Sequence, residues 1–326
     1  MLSVVSPGLL SSVQDQGRPD WQRYGISAGG AMDREAATWA NRLVGNADTA
    51  AVLEMTLAGP TLHLGQGRWL ALTGASADAV LDGHEVPVGS LVWAPAGSQL
   101  RLGAVRKGCR SYLAVSGGFD VPELMGSRST ALRAGFGGLD GRALKAGDSL
   151  ALLPSCLPEP LVVGRRWISP WRLRPAVYSD NAPTRLRLIA ADELPGSCID
   201  ELLAQDFRVS PQSDRMGLRL NGEAIKRPGQ DARLSAGLAF GSVQLPPDGQ
   251  PIILGADRQS TGGYPLLGTV ASIDHSHIAQ LCPGAVLTFA RVTLAEAHAA
   301  MHRQQLRAGR AQVALRQALK MATGQV

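Results

Sequence analysis

Polar residues that could do chemistry are concentrated in glycine-rich segments. These segments are Ser12–Arg18, Gly25–Asp33, Gly126–Thr130, Ser210–Gly217 and Gln244–Pro265. Glycine allows tight turns and lets backbone N–H groups approach an anion. Turns held by a rigid scaffold are where proteins usually present reactive side chains. We therefore expect these turns to carry the functional residues and to converge on one cleft.

The charged residues in these turns have two interpretations each. Arg128 stands between hydroxyl residues and could hold a carboxylate or phosphate through two parallel N–H bonds, or it could brace its own loop. Asp257 and Arg258 could present charge to a ligand, but composition slightly favours an ion pair between the two and an Asx-type turn. Asp33 precedes a helical pattern, which favours a helix cap over a phosphate site.

Common catalytic motifs are missing from the sequence. It contains no G-x-x-x-x-G-K-[ST] loop, no complete G-x-G-x-x-G and no S-x-x-K. His275 and His277 have a spacing that metals use, but Asp274 before them favours a helix start. His298 and His302 lie one helical turn apart without an apparent third ligand. No metal site is predicted.

The elements that must position these turns are mostly strands. Short apolar runs bounded by glycine, proline and polar residues predict strands at 70–73, 90–93, 111–115 and 149–153. One helix is predicted from Asp33 to Val44, followed by Gly45 at the position of a C-terminal cap. The sequence therefore predicts a mainly β protein with few helices.

Composition shifts divide the chain into four segments. We predict an N-terminal β-barrel module at 1–155, a proline-rich linker at 156–184, a C-terminal β-barrel module at 185–292 and a basic helical tail at 293–326. Trp167 and Trp171 indicate that the linker packs against another segment. The tail opens with a capping-box pattern, Thr293-Leu-Ala-Glu296. It is interpreted either as a helix docked on its own domain or as a helix that binds a partner.

The charge distribution and the cysteines limit the possible partners and cellular compartment. The chain has 32 basic and 27 acidic residues, and six of the basic residues and one of the acidic residues lie in 291–326. The rest of the chain is therefore balanced at 26 of each, which argues against a basic face for nucleic acid. The four cysteines lie far apart. Together with the absence of a leader pattern or long apolar run, they favour a reduced cytoplasmic protein and no membrane.

Several ordered strings resemble one protein family. They are Ser12-Val-Gln-Asp-x-Gly-Arg18, Gly30-Ala-Met-Asp33, Ala40-Asn-Arg-Leu-Val-Gly-Asn46, Leu53-Glu54 with Gly59-Pro60, Gly126-Ser-Arg-Ser-Thr130, Gly141-Arg142 with Gly147-Asp148, Ser213-Asp-Arg-Met-Gly-x-Arg219, Pro247-Asp-Gly-x-Pro-Ile252 and Asp257-Arg-Gln-x-Thr-Gly-Gly-Tyr-Pro265. The family is the allophanate hydrolase subunit 2 or KipA-like group, which includes the C subunit of 5-oxoprolinase. It is similar to subdomains A and B of biotin-dependent carboxyltransferases.

This resemblance implies two cyclophilin-like β-barrel modules and a heteromeric enzyme. The implied partners are a KipI-like B subunit, similar to allophanate hydrolase subunit 1, and a LamB/YcsF-like A subunit. The implied reaction is ATP-dependent opening of 5-oxoproline to glutamate, with ATP and Mg²⁺ shared among the subunits and with this chain inactive alone. The chain departs from the family where 188–195 lacks a Gly-Pro-Gln-like turn and where Ser260 replaces a frequent threonine.

The resemblance and the residue types together assign candidate roles. Donors for developing negative charge are Arg128, Arg215 and Arg258. Candidates for acid–base work, or for holding Mg²⁺ through water, are Asp15, Asp33 and Asp257. Candidate substrate-binding residues are Gln14, Arg18, Ser129, Thr130, Gln244, Gln259, Thr261 and Tyr264.

Two other functions remain open from the sequence. One is a carboxyltransferase half that moves a carboxyl group from biotin to a urea-like acceptor. Because no Ala-Met-Lys-Met biotinylation motif is present, biotin would come from another chain. The other is a non-catalytic regulator that binds a KipI-like partner.

Overall fold

A computed structural model describes residues 1–160, 165–173, 183–226 and 234–323. The described part divides into two compact units, each discontinuous in sequence. The first unit contains 1–17, 33–178 and 308–326, and the second contains 18–32 and 179–307. The sequence instead predicted continuous modules, because composition does not show that a short early segment and the end of the tail join distant parts of the chain.

The first unit is built on a ten-stranded antiparallel sheet. Its strands are β1 (Leu2–Ser6), β2 (Leu10–Gln14), β3 (Val52–Thr56), β4 (Thr61–Leu64), β5 (Arg68–Leu81), β6 (His84–Glu85), β7 (Leu91–Ala94), β8 (Gln99–Val115), β9 (Ser149–Leu150) and β10 (Trp167–Ile168). The main order is β10-β7-β5-β8-β4-β1-β9, and β3 joins β2 to β8. The predicted strands fall in β5, β7, β8 and β9.

The longest strands, β5 and β8, form the centre of this sheet. Their register places Leu72 opposite Leu113 and Leu70 opposite Val115. These four side chains are buried in the core of the first unit. Burial of such side chains contributes about 1.5–3 kcal/mol each, which fixes the register of the strands that carry the turns.

The helix of the first unit, α1 (Arg34–Leu43), confirms the predicted helix and its caps. Asp33 precedes it, and the Asp33 carboxylate accepts a hydrogen bond from the Ala36 N–H at 3.0 Å. Gly45 follows with φ +75°, in the left-handed region where glycine is favoured. Ala37, Ala40 and Leu43 form its buried face.

The proline-rich stretch that the sequence predicts as a linker contains a short paired strand. Trp167 and Ile168 pair with Trp93 and Val92 of β7. The Trp167 ring meets Trp69 edge-on at 5.5 Å, which confirms that the stretch packs on another segment. Residues 161–164 and 174–182 of the predicted linker lie outside the described residues.

The second unit contains a closed seven-stranded barrel in the order β11-β18-β15-β16-β13-β12-β19. The strands of the unit are β11 (Thr184–Ala190), β12 (Phe207–Val209), β13 (Gly217–Asn221), β14 (Ala236–Gly237), β15 (Ser242–Gln244), β16 (Ile252–Leu254), β17 (Thr261–Gly262), β18 (Leu266–Val270) and β19 (Val286–Arg291). β11 and β19 close the barrel as a parallel pair, and β14 and β17 form a separate ribbon. The predicted mainly β class and this barrel are confirmed.

The remaining helices are short except for the tail. They are 3₁₀ turns at Pro19–Tyr24 and Ser272–Asp274, α2 (Gly196–Leu203), α3 (His275–Gln280) and α4 (Leu294–Thr323). The capping box that opens α4 is confirmed. The Thr293 N–H donates to Glu296 Oε2 at 2.8 Å, and the Glu296 N–H donates to the Thr293 hydroxyl at 3.2 Å.

Candidate functional site

A buried carboxylate organises the polar turn of the first unit. Asp15 follows β2, and its Oδ1 accepts from the Gly17 N–H at 2.7 Å and from the Ser127 and Ser129 hydroxyls at 2.7 and 2.5 Å. Its Oδ2 accepts from the Arg128 N–H at 2.6 Å. Three of these four donors come from a segment more than 100 residues away in the chain. Asp15 therefore acts as the structural centre of the turn 126–130.

The Arg128 side chain braces its own loop. Its Nη1 lies 2.8 Å from Glu123 Oε2, and both side chains are partly exposed. Of the two interpretations left open by the sequence, this contact corresponds to the loop brace. A role for Arg128 in charge stabilisation stays a prediction.

Several predicted substrate-binding residues lie beneath this turn. Gln14 is fully buried, and its amide donates to the Ser12 hydroxyl at 3.0 Å and to the Thr130 carbonyl at 3.1 Å. The Thr130 hydroxyl donates to the Val13 carbonyl at 2.9 Å. Ser129 is fully buried as well. In this structure these side chains hold β2 to the turn.

Asp33 serves as the cap of α1 and joins a buried polar group. Its N–H donates to the Tyr112 hydroxyl at 2.8 Å, and that hydroxyl donates to Glu54 Oε2 at 2.9 Å. Arg110 Nε lies 4.0 Å from Glu54 Oε1. Burial raises the pKa of Tyr112 well above its ordinary value, and the nearby Glu54 and Asp33 carboxylates act in the same direction. Tyr112 therefore stays protonated and able to donate.

Sequence reasoning did not identify Tyr112 or Arg110 as members of this group. Both lie on β8, inside a stretch that is typical of a buried strand. The sequence offered one local indication: the polar residues Ser111 and Tyr112 stand inside an apolar run, and Glu54 stands inside another, on the neighbouring strand β3. The β3–β8 register that places Glu54 opposite Tyr112 could not be obtained from composition.

The second unit contains a clamp formed by Arg215 and Asp257. Arg215 Nε and Nη2 each lie 2.9 Å from a different oxygen of Asp257, and both side chains are largely buried. Nη2 also donates to the Gly30 carbonyl at 2.7 Å. A planar guanidinium suits this two-point geometry, which a lysine cannot reproduce. The clamp ties the Asp257 turn to the glycine-rich segment 25–33.

The predicted Asp257–Arg258 ion pair is therefore wrong. Arg258 instead donates to the carbonyls of Leu238 at 3.1 Å and Gly255 at 3.2 Å. Asp257 lies in the turn that follows β16, and its N–H donates to the Arg215 carbonyl at 2.9 Å, so a residue distant in sequence is the nearer partner. Arg215, on a different loop, occupies that place.

Segment 18–32 is joined to the clamp by its backbone. The Gly29 N–H donates to the Ala256 carbonyl at 3.1 Å, and the Ser27 hydroxyl reaches the same oxygen at 3.3 Å. Gly29 has φ +59°, and a Cβ there would lie 3.4 Å from Arg18 Nη1 and 3.8 Å from Asp257 Oδ1. Glycine thus permits both the left-handed turn and the close approach of Arg18, whose side chain is buried.

The polar residues after Asp257 differ in exposure. Gln259, Thr261 and Tyr264 are exposed, whereas Gln244 is buried and its amide reaches the Tyr264 carbonyl at 3.4 Å. The exposed turn thus follows Asp257 of the clamp almost directly in the chain. The Arg128 turn belongs to the other unit, and the predicted convergence of the two turns stays a prediction.

The Asp274 segment begins a helix, as predicted, but Asp274 does not cap it with its side chain. The carboxylate accepts from the Arg187 N–H at 2.7 Å and lies 3.3 Å from the Arg187 guanidinium and 3.4 Å from His277 Nδ1. Among the described residues, no three His, Cys, Asp or Glu side chains are grouped as a metal would require. Within the same ranges, no helix has the length and apolar content needed to cross a membrane.

Comparison with known proteins defines the class. The carboxyltransferase domain model for subdomains A and B matches residues 24–291. The chain belongs to this family.

Two curated relatives match nearly end to end. The chain is 39% identical to the 5-oxoprolinase C subunit of Escherichia coli over 94% of this chain and 96% of that protein. It is 34% identical to the 5-oxoprolinase C subunit of Haemophilus influenzae over 91% of this chain and 93% of that protein.

The solved structures that resemble this chain are of longer proteins, and this chain matches only part of each. The Kluyveromyces lactis urea amidolyase is 29% identical with a TM-score of 0.83, covering 91% of this chain and 19% of that one. TTHA0988 is 36% identical with a TM-score of 0.77, covering 89% of this chain and 55% of that one. The chain thus spans about a fifth of the first and about half of the second.

Proposed function

We propose that this chain is the C subunit of a heteromeric 5-oxoprolinase that opens 5-oxo-L-proline to L-glutamate with ATP and water. The observation that carries this proposal is the share of each relative that the chain covers. The chain covers 96% of the E. coli 5-oxoprolinase C subunit, but only 16% of the Saccharomyces cerevisiae urea amidolyase, to which it is 30% identical. A match along nearly the whole of one relative supports the same role in the enzyme.

The reaction explains why partners and ATP are needed. Amide resonance makes direct attack of water on the lactam carbon slow. Transfer of the γ-phosphoryl group of ATP to the lactam oxygen weakens that resonance. Water then adds to the carbon, the ring C–N bond breaks and the nitrogen takes a proton, which leaves γ-glutamyl phosphate. A second water hydrolyses this acyl phosphate to glutamate and phosphate. Donors that face the oxygen as it gains charge stabilise this sequence of steps.

The carboxylates of this chain fit a Mg²⁺ site poorly. Asp15 already accepts four hydrogen bonds, and Asp257 gives both oxygens to Arg215. The prediction that either holds Mg²⁺ through water has no support in this geometry. We assign ATP and Mg²⁺ to the assembled enzyme, in which this chain joins the KipI-like and LamB/YcsF-like subunits.

The Arg215–Asp257 clamp is proposed to act as a positioning device. It fixes the Gly30 carbonyl and the start of the exposed turn 259–264 in one arrangement. Gln259, Thr261 and Tyr264 are then held at the surface, where a substrate or another protein of the enzyme can reach them. Arg258 and Arg18 complete the buried base of this turn.

A reconstituted assay tests the proposal. The chain is mixed with the KipI-like and LamB/YcsF-like subunits of the same organism, and glutamate release from 5-oxoproline is followed with and without ATP. We expect release that requires this chain and ATP. Arg215→Lys should lower the rate about tenfold or more, because lysine cannot make the two-point bond to Asp257. Gln212→Ala, an exposed change near the same loop, is the matched control and should have no such effect.

A second function is favoured by the family and by the fold. The match to carboxyltransferase subdomains and the TM-score of 0.83 to the K. lactis urea amidolyase support transfer of a carboxyl group from biotin on another chain to a urea-like acceptor. Transfer that requires a biotinylated protein, without ATP-dependent glutamate release, would replace the first proposal. Tight binding to the KipI-like subunit with neither activity would indicate a regulator.

A further inference from the structure

The tip before the Arg128 turn exposes apolar side chains. Pro122 to Gly126 are five consecutive exposed residues, and Leu124 and Met125 remain 41% and 39% exposed. The tip is a tight hairpin, because the Leu124 N–H donates to the Ser127 carbonyl at 2.9 Å and the Ser127 N–H returns to the Leu124 carbonyl at 3.2 Å. Met125 and Gly126 are therefore its two central residues.

The backbone of this tip is unfavourable for methionine. Met125 has φ +56° and Gly126 has φ +74°. A hairpin turn with positive φ at both central positions favours Asn-Gly or Asp-Gly, since few other side chains adopt this region readily. Methionine at the first central position does not stabilise the turn, and as an exposed apolar residue it does not increase solubility. Its presence there is explained if the exposed side chain has a contact to make.

The tip is also held rigidly at its base. The Ser127 hydroxyl and the Arg128 N–H both bind the buried Asp15 carboxylate. A Cβ added at Gly126 would meet no atom within 4 Å, so the end of the hairpin projects into open space. A rigid projection loses little conformational freedom on binding, which favours its use as an anchor.

The surroundings of the tip indicate what kind of surface receives it. Glu123 and Arg128 neutralise each other at 2.8 Å, so the tip attracts neither an anionic membrane nor nucleic acid by charge. A convex tip cannot enclose a small molecule, and the concave surface must come from a macromolecule. An apolar centre inside a polar rim is the usual anatomy of a protein interface, and methionine adapts to irregular apolar pockets.

We propose that the Leu124–Met125 tip inserts into an apolar pocket of the KipI-like subunit. This inference rests on the proposed function, which supplies that partner. Because the tip precedes the Arg128 turn directly, docking would also place the partner next to Arg128.

Met125→Asn tests this proposal through two effects of opposite sign. Asparagine suits the positive φ, so the melting temperature of the isolated chain should rise by about 2–4 °C. The loss of the apolar anchor should raise the dissociation constant for the purified KipI-like subunit about tenfold or more. Leu124→Ser should weaken association similarly without the rise in melting temperature. Leu9→Asn, at a position 68% exposed in the same unit, is the matched control and should change neither.

The outcomes separate this inference from the function on which it rests. If the unmodified chain binds the KipI-like subunit with the same affinity as both tip variants, the tip is not the anchor, while the proposed function stands. If the unmodified chain does not bind that partner, both fail. Binding to phosphatidylserine vesicles that is lost in the tip variants, with unchanged binding to the KipI-like partner, would assign the tip to a membrane and overturn the proposal.

Discussion

Buried polar residues of the first unit stabilise it because they satisfy one another. The Tyr112 hydroxyl accepts from the Asp33 N–H and donates to Glu54, so one oxygen serves a helix start and a strand carboxylate. A buried polar atom that loses its partner costs about 1–3 kcal/mol, whereas the net gain from a satisfied hydrogen bond is smaller. At the residue scale, the loss of stability when one hydrogen-bonding partner is removed therefore measures the importance of a buried polar residue better than the number of its hydrogen bonds does.

Tyr112→Phe should lower the free energy of unfolding by about 1–3 kcal/mol at neutral pH. The folded state raises the pKa of Tyr112, so its contribution is complete below the ordinary value of 10.0 and declines as the pH rises above it. The difference between the two proteins should therefore narrow in alkaline solution. Urea unfolding near pH 8 and above pH 10 measures this change.

Tyr24→Phe is the control for this experiment, since the Tyr24 side chain is 62% exposed. It should leave stability nearly unchanged at both pH values. A stability difference for Tyr112→Phe that stays constant from neutral to alkaline pH would contradict the assigned role of the hydroxyl.

The elements of this chain are set largely by how they begin and end. α1 starts at a carboxylate cap and is followed by a left-handed glycine, and α4 starts at a reciprocal cap between Thr293 and Glu296. Hydrogen bonds from the Thr293 N–H and hydroxyl lower the pKa of Glu296, so the cap is complete above its ordinary value of 4.5 and is lost as the pH falls through the lowered value. Element boundaries thus depend on single side chains.

Thr293→Ala should let the first turn of α4 fray. Loss of a threonine cap should increase amide hydrogen exchange over Leu294–Ala297 about fivefold. Thr323→Ala, at the opposite end of the same helix, should leave exchange in that first turn unchanged. Equal exchange in the two variants would mean that the capping box does not hold the helix start.

At the scale of the whole molecule, each unit is completed by a segment distant in sequence. Residues 308–326 belong to the first unit, where Leu315 is buried and lines a cleft of about 420 Å³ with Arg42, Asn46 and Asp48. The Arg42 hydrogen bond lowers the pKa of Asp48, with a smaller contribution from the charge of Arg316. The end of the tail is therefore an integral part of the first unit.

Leu315→Ala should destabilise the chain by about 2–5 kcal/mol, the usual range for a buried leucine. Hydrogen exchange should increase first in the loop 44–48 that faces it. Leu306→Ala, 53% exposed on the same helix, should shift stability by less than about 0.5 kcal/mol. Similar losses for both variants would mean that the burial of Leu315 is not what holds the tail.

Features that depend on neighbouring residues could be predicted from the sequence. The caps and extent of α1, the capping box of α4, the apolar strands and the family could all be recognised, because each depends on residue types a few positions apart. Asp33 was correctly interpreted as a cap for this reason. The short pairing at Trp167–Ile168 was missed because proline density hides a two-residue strand.

The partners of the charged residues could be learned only from the tertiary structure. Asp15 gathers donors from 112 to 114 residues away, and Arg215 reaches Asp257 across 42 positions and Gly30 across 185. The sequence alone determined that polar turns are mounted on a mainly β scaffold. Which arginine holds which carboxylate was decided by strand register and barrel closure, because these bring distant loops together while separating adjacent side chains.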